Sequence, residues 1–300
     1  YQLSALLSGE DYWADVAALA GRATPYARTG RLLPLPSQEA RALAEARAET
    51  AADLWQGRAV WRISDDSGGW LSECAAPFGC VHETLSARIF PQTALALLAD
   101  AFRRAGGRLL EGWPVATLGD GCAEGPRGAW AGEAVVLAAG VAGFDLLAPL
   151  LGTAPGSGVK GQAAVLAATC RGDEPILFHD GLYIVPHAPG RVAVGSTSEA
   201  VWDAQNETDA LLDDVITRAR SLCPRLDGAE VVTRWAGVRP KARRRDPMLG
   251  PVPGHPSLFA ALGGFKIGFG IAPKVGDTLA DLIAGAPVEL PPSFTVAHHL

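Results

Sequence analysis

The chain has 300 residues, 48% of them hydrophobic and 19% charged, and a net charge of -6. That length can bury a large core and suits about two domains, while the acidic balance excludes the basic footprint of a nucleic-acid binder. Five cysteines with no Cys-x-x-Cys pair give neither a disulfide framework nor a zinc set and fit a reducing compartment. No apolar run reaches the ~18 residues of a membrane span, so a cytoplasmic protein without a transmembrane segment is expected.

The chain opens in a helix. Leu3, Leu6, Leu7, Tyr12, Trp13, Val16 and Leu19 recur at helical spacing, and Gly21 stops it. Tyr1 already lies inside this helix, so a preceding segment is expected. Residues 26–34 read as a strand with a turn. Ser37 caps a helix over 40–56, 60–63 read as a short strand and 68–79 as loop. Pro91 opens a helix over 92–105, with Leu95, Leu98, Ala99 and Phe102 as its expected apolar face, and Gly106-Gly107 end it. Residues 108–111 and 113–118 read as strands. The second starts a hairpin or meander around a polar turn at 119–127. Residues 133–140 form a continuous apolar run ending in small residues, the pattern of a buried parallel strand that points into a glycine turn. Residues 144–151 are helical.

The character then changes. Residues 159–167, 175–179, 182–186 and 191–197 are short strands separated by Gly, Pro and Asp turns, an antiparallel meander. A Gly-x-Gly-x-x-Gly string occurs at Gly156, Gly158 and Gly161, but no buried strand precedes it and no helix follows. It therefore reads as a loop entering a strand and not as a dinucleotide fingerprint. Residues 209–223 form an amphipathic helix that Pro224 ends, and 230–235 a strand. Strand–helix character on both sides of a meander implies an α/β domain with an α+β domain inserted between its segments.

The most informative stretch follows. Arg234-Trp-Ala-Gly-Val-Arg239-Pro240 reads as a strand ending in a fixed cation, with Pro240 at a turn. Residues 257–262 form a short apolar strand. Gly263, Gly264, Phe265, Lys266, Ile267, Gly268, Phe269 and Gly270 make a glycine-dense loop feeding a helix that begins near Pro273. Strand, glycine loop and helix N-terminus let backbone approach a flat or anionic ligand closely, and an arginine offers a planar clamp for a carboxylate. The basic run 241–245 reads as a solvated turn. His82, His179, His187 and His255 read as structural, and His298-His299 as a disordered end.

In this order the segments resemble the FAD-dependent D-amino-acid oxidase / glycine oxidase family. The resemblance is carried by Thr29-Gly-Arg31-Leu, Leu85-Ser-Ala-Arg88, Val135-Val-Leu-Ala-Ala-Gly140, Lys160-Gly161-Gln162, the 182–197 hairpin and the 234–276 stretch. It implies a Rossmann-like FAD-binding domain, its first βαβ unit missing, with an inserted antiparallel-sheet substrate domain. The implied boundaries are 1–29, 83–154 and 243–288 for the cofactor domain, 30–82 and 155–242 for the substrate domain, and 289–300 for a tail. It implies that Arg239 holds a substrate carboxylate, that Tyr183 faces the substrate, and that Val115, Ala139, Gly140 and residues 263–270 meet a non-covalent FAD. Lys266 stands where glycine oxidases carry a second arginine. It reads either as a substrate-side or flavin-side cation or as a solvated loop lysine.

The expected reaction is oxidation of the C–N bond of a small amino acid or secondary amine, with hydride passing to flavin and electrons to oxygen or another acceptor. Alternatives are a dehydrogenase that uses a non-oxygen carrier, and a flavin-fold binding protein that turns nothing over. Because the phosphate-binding βαβ unit is absent, these 300 residues alone are expected to bind FAD weakly or not at all.

Overall fold

The computed structural model describes residues 1–187 and 190–300. In chain order its elements begin with α1 (Gln2–Ala20), β1 (Tyr26–Ala27), β2 (Arg31–Pro34), α2 (Gln38–Trp55), β3 (Trp61–Ser64), β4 (Cys80–Glu83), β5 (Arg88–Ile89) and α3 (Pro91–Arg104). There follow β6 (Thr117–Gly119), β7 (Cys122–Gly125), β8 (Gly128–Ala131), β9 (Val135–Leu137), α4 (Ala142–Leu151) and β10 (Gly156–Ala167). The last are β11 (Ile176–His179), β12 (Leu182–Pro186), β13 (Arg191–Gly195), α5 (Ala210–Leu222), β14 (Glu230–Ala242), β15 (Met248–Val252), β16 (His255–Leu262) and α6 (Gly268–Ile283).

These elements form two compact units. The first holds residues 1–9, 107–160 and 238–300, the second 10–106 and 161–237. Residues 10–29 and 83–106 belong to the second unit by their contacts, and residues 289–300 to the first. Among the described residues no helix is long and apolar enough to cross a membrane.

The second unit is built on a sheet ordered β14-β10-β13-β12-β11-β2-β4-β3. Of the pairings β10–β13, β13–β12, β12–β11, β11–β2, β2–β4 and β4–β3, β11–β2 is parallel and the others are antiparallel. Strand alternation sends Leu182, Ile184, Val192 and Val194 to one face, where they join Leu212 and Ile216 of α5 in the core. The meander is set by its turns. Asp180 (φ 45°) and Gly181 (φ 75°) both take the left-handed region, as a two-residue hairpin requires, and the turn registers Phe178 against Tyr183. The expected cap at Ser37 is present, its Oγ accepting the Ala40 N–H at 3.2 Å, and α5 has a second cap that the sequence reading did not name, Asp209 Oδ1 accepting the Leu211 N–H at 2.9 Å.

One expectation in this unit fails in large part, although Leu98 of the expected face does pack, partly buried, against the core. The buried face of α3 is Ala94, Leu97 and Ala101, packed against Trp13, Ala17 and Ala20 of α1. Leu95 is 60% and Phe102 49% exposed. A bulky Trp13 needs small partners, and alanines carry little hydrophobic signal, so the larger residues on the neighbouring stripe drew the assignment.

In the first unit a three-stranded sheet is ordered β15-β16-β9, with β16 parallel to β9 and antiparallel to β15. Each of the two parallel strands feeds a helix, β9 into α4 and β16 into α6. Four local expectations change here. Residues 108–111 are not a strand, since no ladder partner is present among the described residues. The polar turn at 119–127 contains β7, and a β6-β7-β8 meander results. Pro240 sits inside β14 and not at a turn. β14 is the edge of its sheet, where a missing N–H need cost no ladder bond. Finally, α6 starts at Gly268, more than a turn before Pro273, because Gly268 and Gly270 adopt ordinary helical backbone and only Gly263 and Phe265 take positive φ. The string at 156–161 is the first half of β10. A Cβ on Gly156 would strike the Phe144 ring at 2.5 Å, so packing explains that glycine.

The C-terminal residues are ordered, contrary to expectation. Val296 joins the core of the first unit and His299 is fully buried, its Nδ1 accepting the Arg244 N–H at 3.4 Å. An apolar valine three residues upstream supplies the anchor that two histidines alone do not suggest. Burial holds the His299 imidazole below the ordinary histidine range.

Candidate active site

The two strand-to-helix turns of the first unit lie at one edge of its sheet. Leu258 pairs with Val135, Phe259 with Val136 and Ala260 with Leu137. Continued by three residues, this register sets Gly263 level with Gly140. Both glycines turn the chain in the left-handed region, at φ 72° and 59°. In open parallel sheets ligands bind at this carboxyl end. The helices are drawn close to the strands: a Cβ on Gly143 would meet Leu262 Cδ2 at 2.5 Å, and one on Gly264 would meet Gly268 Cα at 3.0 Å.

The same edge is open outward. Ala138 and Ala139 are exposed, and a Cβ built on Gly140 or Gly268 meets nothing within 4 Å. No acidic residue lies in the first turn of α6 and no side chain caps it, which leaves the positive end of the helix dipole uncompensated. This bare, anion-favouring backbone ledge leaves room for a flat, electron-rich ligand to lie against it. Val115 lies against Gly125 of the meander and in neither turn.

Arg239 is half-buried on β14, and backbone joins its strand to the glycine loop. The Phe265 N–H donates to the Pro240 carbonyl at 3.1 Å, and a Cβ on Gly263 would come within 2.7 Å of Ala242 Cβ. Phe265 itself is at φ 42°, a costly region for a bulky side chain. The Ile267 N–H to Gly264 carbonyl bond, at 2.8 Å, closes the loop behind it. Lys266 is exposed, with Nζ 5.6 Å from the Phe265 ring centroid.

In the second unit, Tyr183 is 40% exposed on the sheet face opposite the α5 core. Its cross-strand partners are Phe178 and Gly195, and beyond Gly195 lies Ala163. Phe178 was not singled out in the sequence. The Asp180-Gly181 turn, which fixes its pairing with Tyr183, was the available signal. His187, at the end of β12, is 6% exposed and meets Phe90 edge-on at 5.0 Å. Burial, then the Arg88 charge, pushes its imidazole down to about 4.

That shift has a measurable sign. The folded pKa lies below the unfolded one, so the unfolded chain takes up the proton first as pH falls through 6.5, and the loss of stability levels off below about 4. Between pH 7 and pH 5 the protein should lose about 2 kcal/mol from this group. In His187→Leu the difference between urea midpoints at those two pH values should shrink accordingly.

A family model described as DAO, FAD dependent oxidoreductase, matches residues 2–282. The chain belongs to this family. Within the DAO family it is 35% identical over 168 residues to a glycine oxidase of Pseudomonas putida, a match covering 55% of this chain and 46% of that protein. The chain thus spans about half the length of the curated Pseudomonas relatives it matches. Among solved structures it resembles glycine oxidase from Geobacillus kaustophilus, with TM-score 0.86 and 23% identity over 99% of this chain and 82% of that one. It also resembles iminodiacetate oxidase from Chelativorans, with TM-score 0.85 and 22% identity over 97% and 82%. These likenesses show the fold: a Rossmann-like architecture combined with an antiparallel sheet.

Proposed function

We propose that this protein is an FAD-dependent oxidoreductase acting on the C–N bond of a small amino acid or secondary amine of the glycine, sarcosine or D-amino-acid kind. The observation that carries this reading is the backbone tie between Phe265 and Pro240, which couples the glycine loop to the strand bearing Arg239. When bound, the flavin supplies the hydride acceptor. The chain's own residues bind and orient. Arg239 holds the substrate carboxylate through two parallel N–H donors, fixing the Cα–H direction. Tyr183 forms an aromatic wall for the substrate. Gly140, Ala139 and residues 263–270 present backbone to the ring, while Val115 belongs to the adenine side. Lys266 adds a point charge beside the ring-binding loop. Oxygen or another carrier takes the electrons, in a protein of the reducing cytoplasm.

The test is flavin content together with turnover. Glycine, sarcosine, D-alanine, D-proline and iminodiacetate are offered to the flavin-loaded full-length protein, the form used in every flavin and kinetic test below, with peroxide release and dye reduction read side by side. Turnover of none of them rejects the reading. Peroxide release identifies oxygen as acceptor, and dye reduction without peroxide identifies a carrier.

A second expected result needs no activity. Gly268→Val adds a side chain where a Cβ meets no protein atom. Stability should fall by no more than about 1 kcal/mol, the scale of helix propensity differences, while flavin retention through gel filtration drops sharply. Equal flavin content in variant and parent would remove Gly268 from the cofactor ledge.

A further inference from the structure

We propose that Arg31 is a positioning residue for Tyr183 and acts through Phe178. The proposal rests on the reading of Tyr183 as a substrate wall. Its physical basis is a relay across four neighbouring strands, β4, β2, β11 and β12.

The relay starts at Glu83, buried on β4. Its carboxylate accepts the N–H groups of Leu85 and Ser86 at 2.7 and 2.9 Å and the Ser86 hydroxyl. So many donors leave the carboxylate no freedom to turn. Glu83 pairs directly across the ladder with Arg31, and their side chains meet at 3.0 Å. The Arg31 guanidinium then lies over the Phe178 ring, 5.4 Å from its centroid. Phe178 packs on Tyr183, ring centroids 4.5 Å apart and planes at 44°.

Tyr183 depends on this relay because its second cross-strand partner offers no side chain to hold it. Of its two cross-strand partners, one is Phe178 and the other is Gly195, which has no side chain. Strand side chains commonly use two χ1 rotamers. A half-exposed phenol with one aromatic neighbour keeps a single orientation only if that neighbour is itself held. The guanidinium suits the task because one plane can both pair with a carboxylate and stack on a ring, which an ammonium cannot do.

The experiment is a double-mutant cycle on the flavin-loaded protein, with the best substrate of the panel above. Arg31→Met is expected to lower kcat/KM about tenfold, the scale of a lost cation–π contact plus misorientation, with flavin content and its spectrum unchanged. Arg31→Lys should fall between the two. Phe178→Leu should reproduce Arg31→Met while leaving the Glu83–Arg31 pair intact, and it carries the test if Arg31→Met does not fold. In a Tyr183→Ala background, Arg31→Met should cost nothing further. An undiminished, multiplicative loss in that background overturns the relay and marks Arg31 as merely structural, as does full activity in Arg31→Met. If Tyr183→Ala alone leaves kcat/KM unchanged, the substrate-wall reading has failed and the relay with it. If Tyr183→Ala is impaired and Arg31→Met is silent, the relay alone has failed.

Discussion

Arg239→Met is expected to reduce kcat/KM by roughly two to four orders of magnitude, chiefly through KM, while the protein keeps its flavin. A carboxylate held by a guanidinium fork loses two charge-assisted hydrogen bonds, each worth about 1.5–3 kcal/mol, and about 1.4 kcal/mol is a factor of ten. Flavin retention follows from how the loop is held. The tie from Phe265 is to the Pro240 carbonyl, a backbone atom, and Gly263 is pressed against Ala242. Neither contact uses the Arg239 side chain. Arg239→Lys should recover only part of the loss, since a point charge cannot reproduce the fork. Flavin absorbance per mole of protein and steady-state kinetics decide the matter. Parallel loss of flavin and turnover would assign Arg239 to the cofactor instead of the substrate.

Gln162→Leu should be the most destabilising substitution of comparable size in the sheet unit, by about 3 kcal/mol. Gln162 is fully buried on β10. Its amide nitrogen donates to Glu199 Oε1 at 3.1 Å and Asp209 Oδ1 at 2.9 Å, and its oxygen accepts the Asp209 N–H at 2.8 Å. Its own backbone N–H donates to Thr197 Oγ1 at 2.8 Å, and the Thr197 hydroxyl donates in turn to Glu199. One amide thus serves two carboxylates and the cap of α5. Leucine matches its bulk and satisfies none of these groups, and unpaired buried groups cost more than a formed hydrogen bond returns. In a protein of this size the melting midpoint should drop by roughly 10 °C. Gln162→Glu should be worse at pH 7, where a third carboxylate joins the cluster, and partly recover as acid protonates it. A change below 1 kcal/mol in Gln162→Leu would show that water can replace the amide.

The sequence carried the local signals well and the long-range ones poorly. Ser37, Asp209, Gly21 and the Asp180-Gly181 turn each act on residues within one turn of themselves, and each stands where its chemistry demands. The run into Gly140 and the strand into Gly263 were also legible, because a parallel strand and its glycine turn are written consecutively. Pro240 misled because the usual objection to proline vanishes on an edge strand. Ala94 and Ala101 misled because they pack by being small. The candidate site was legible as two groups of residues. The hydrogen bond from Phe265 to Pro240, and the stack from Arg31 through Phe178 to Tyr183, depend on which strands lie side by side, and no single stretch of chain records that.

The burial of Val296 and His299 bears on the order of events during synthesis. The sheet unit has all of its residues once Gly237 has been made. The other unit waits for 296–299 to close its core. At roughly 10 residues per second, that is a lag of about six seconds on the ribosome. Through that interval the platform bearing Tyr183 can finish folding while the strand bearing Arg239 and the glycine ledge behind it still lack the end of their own core.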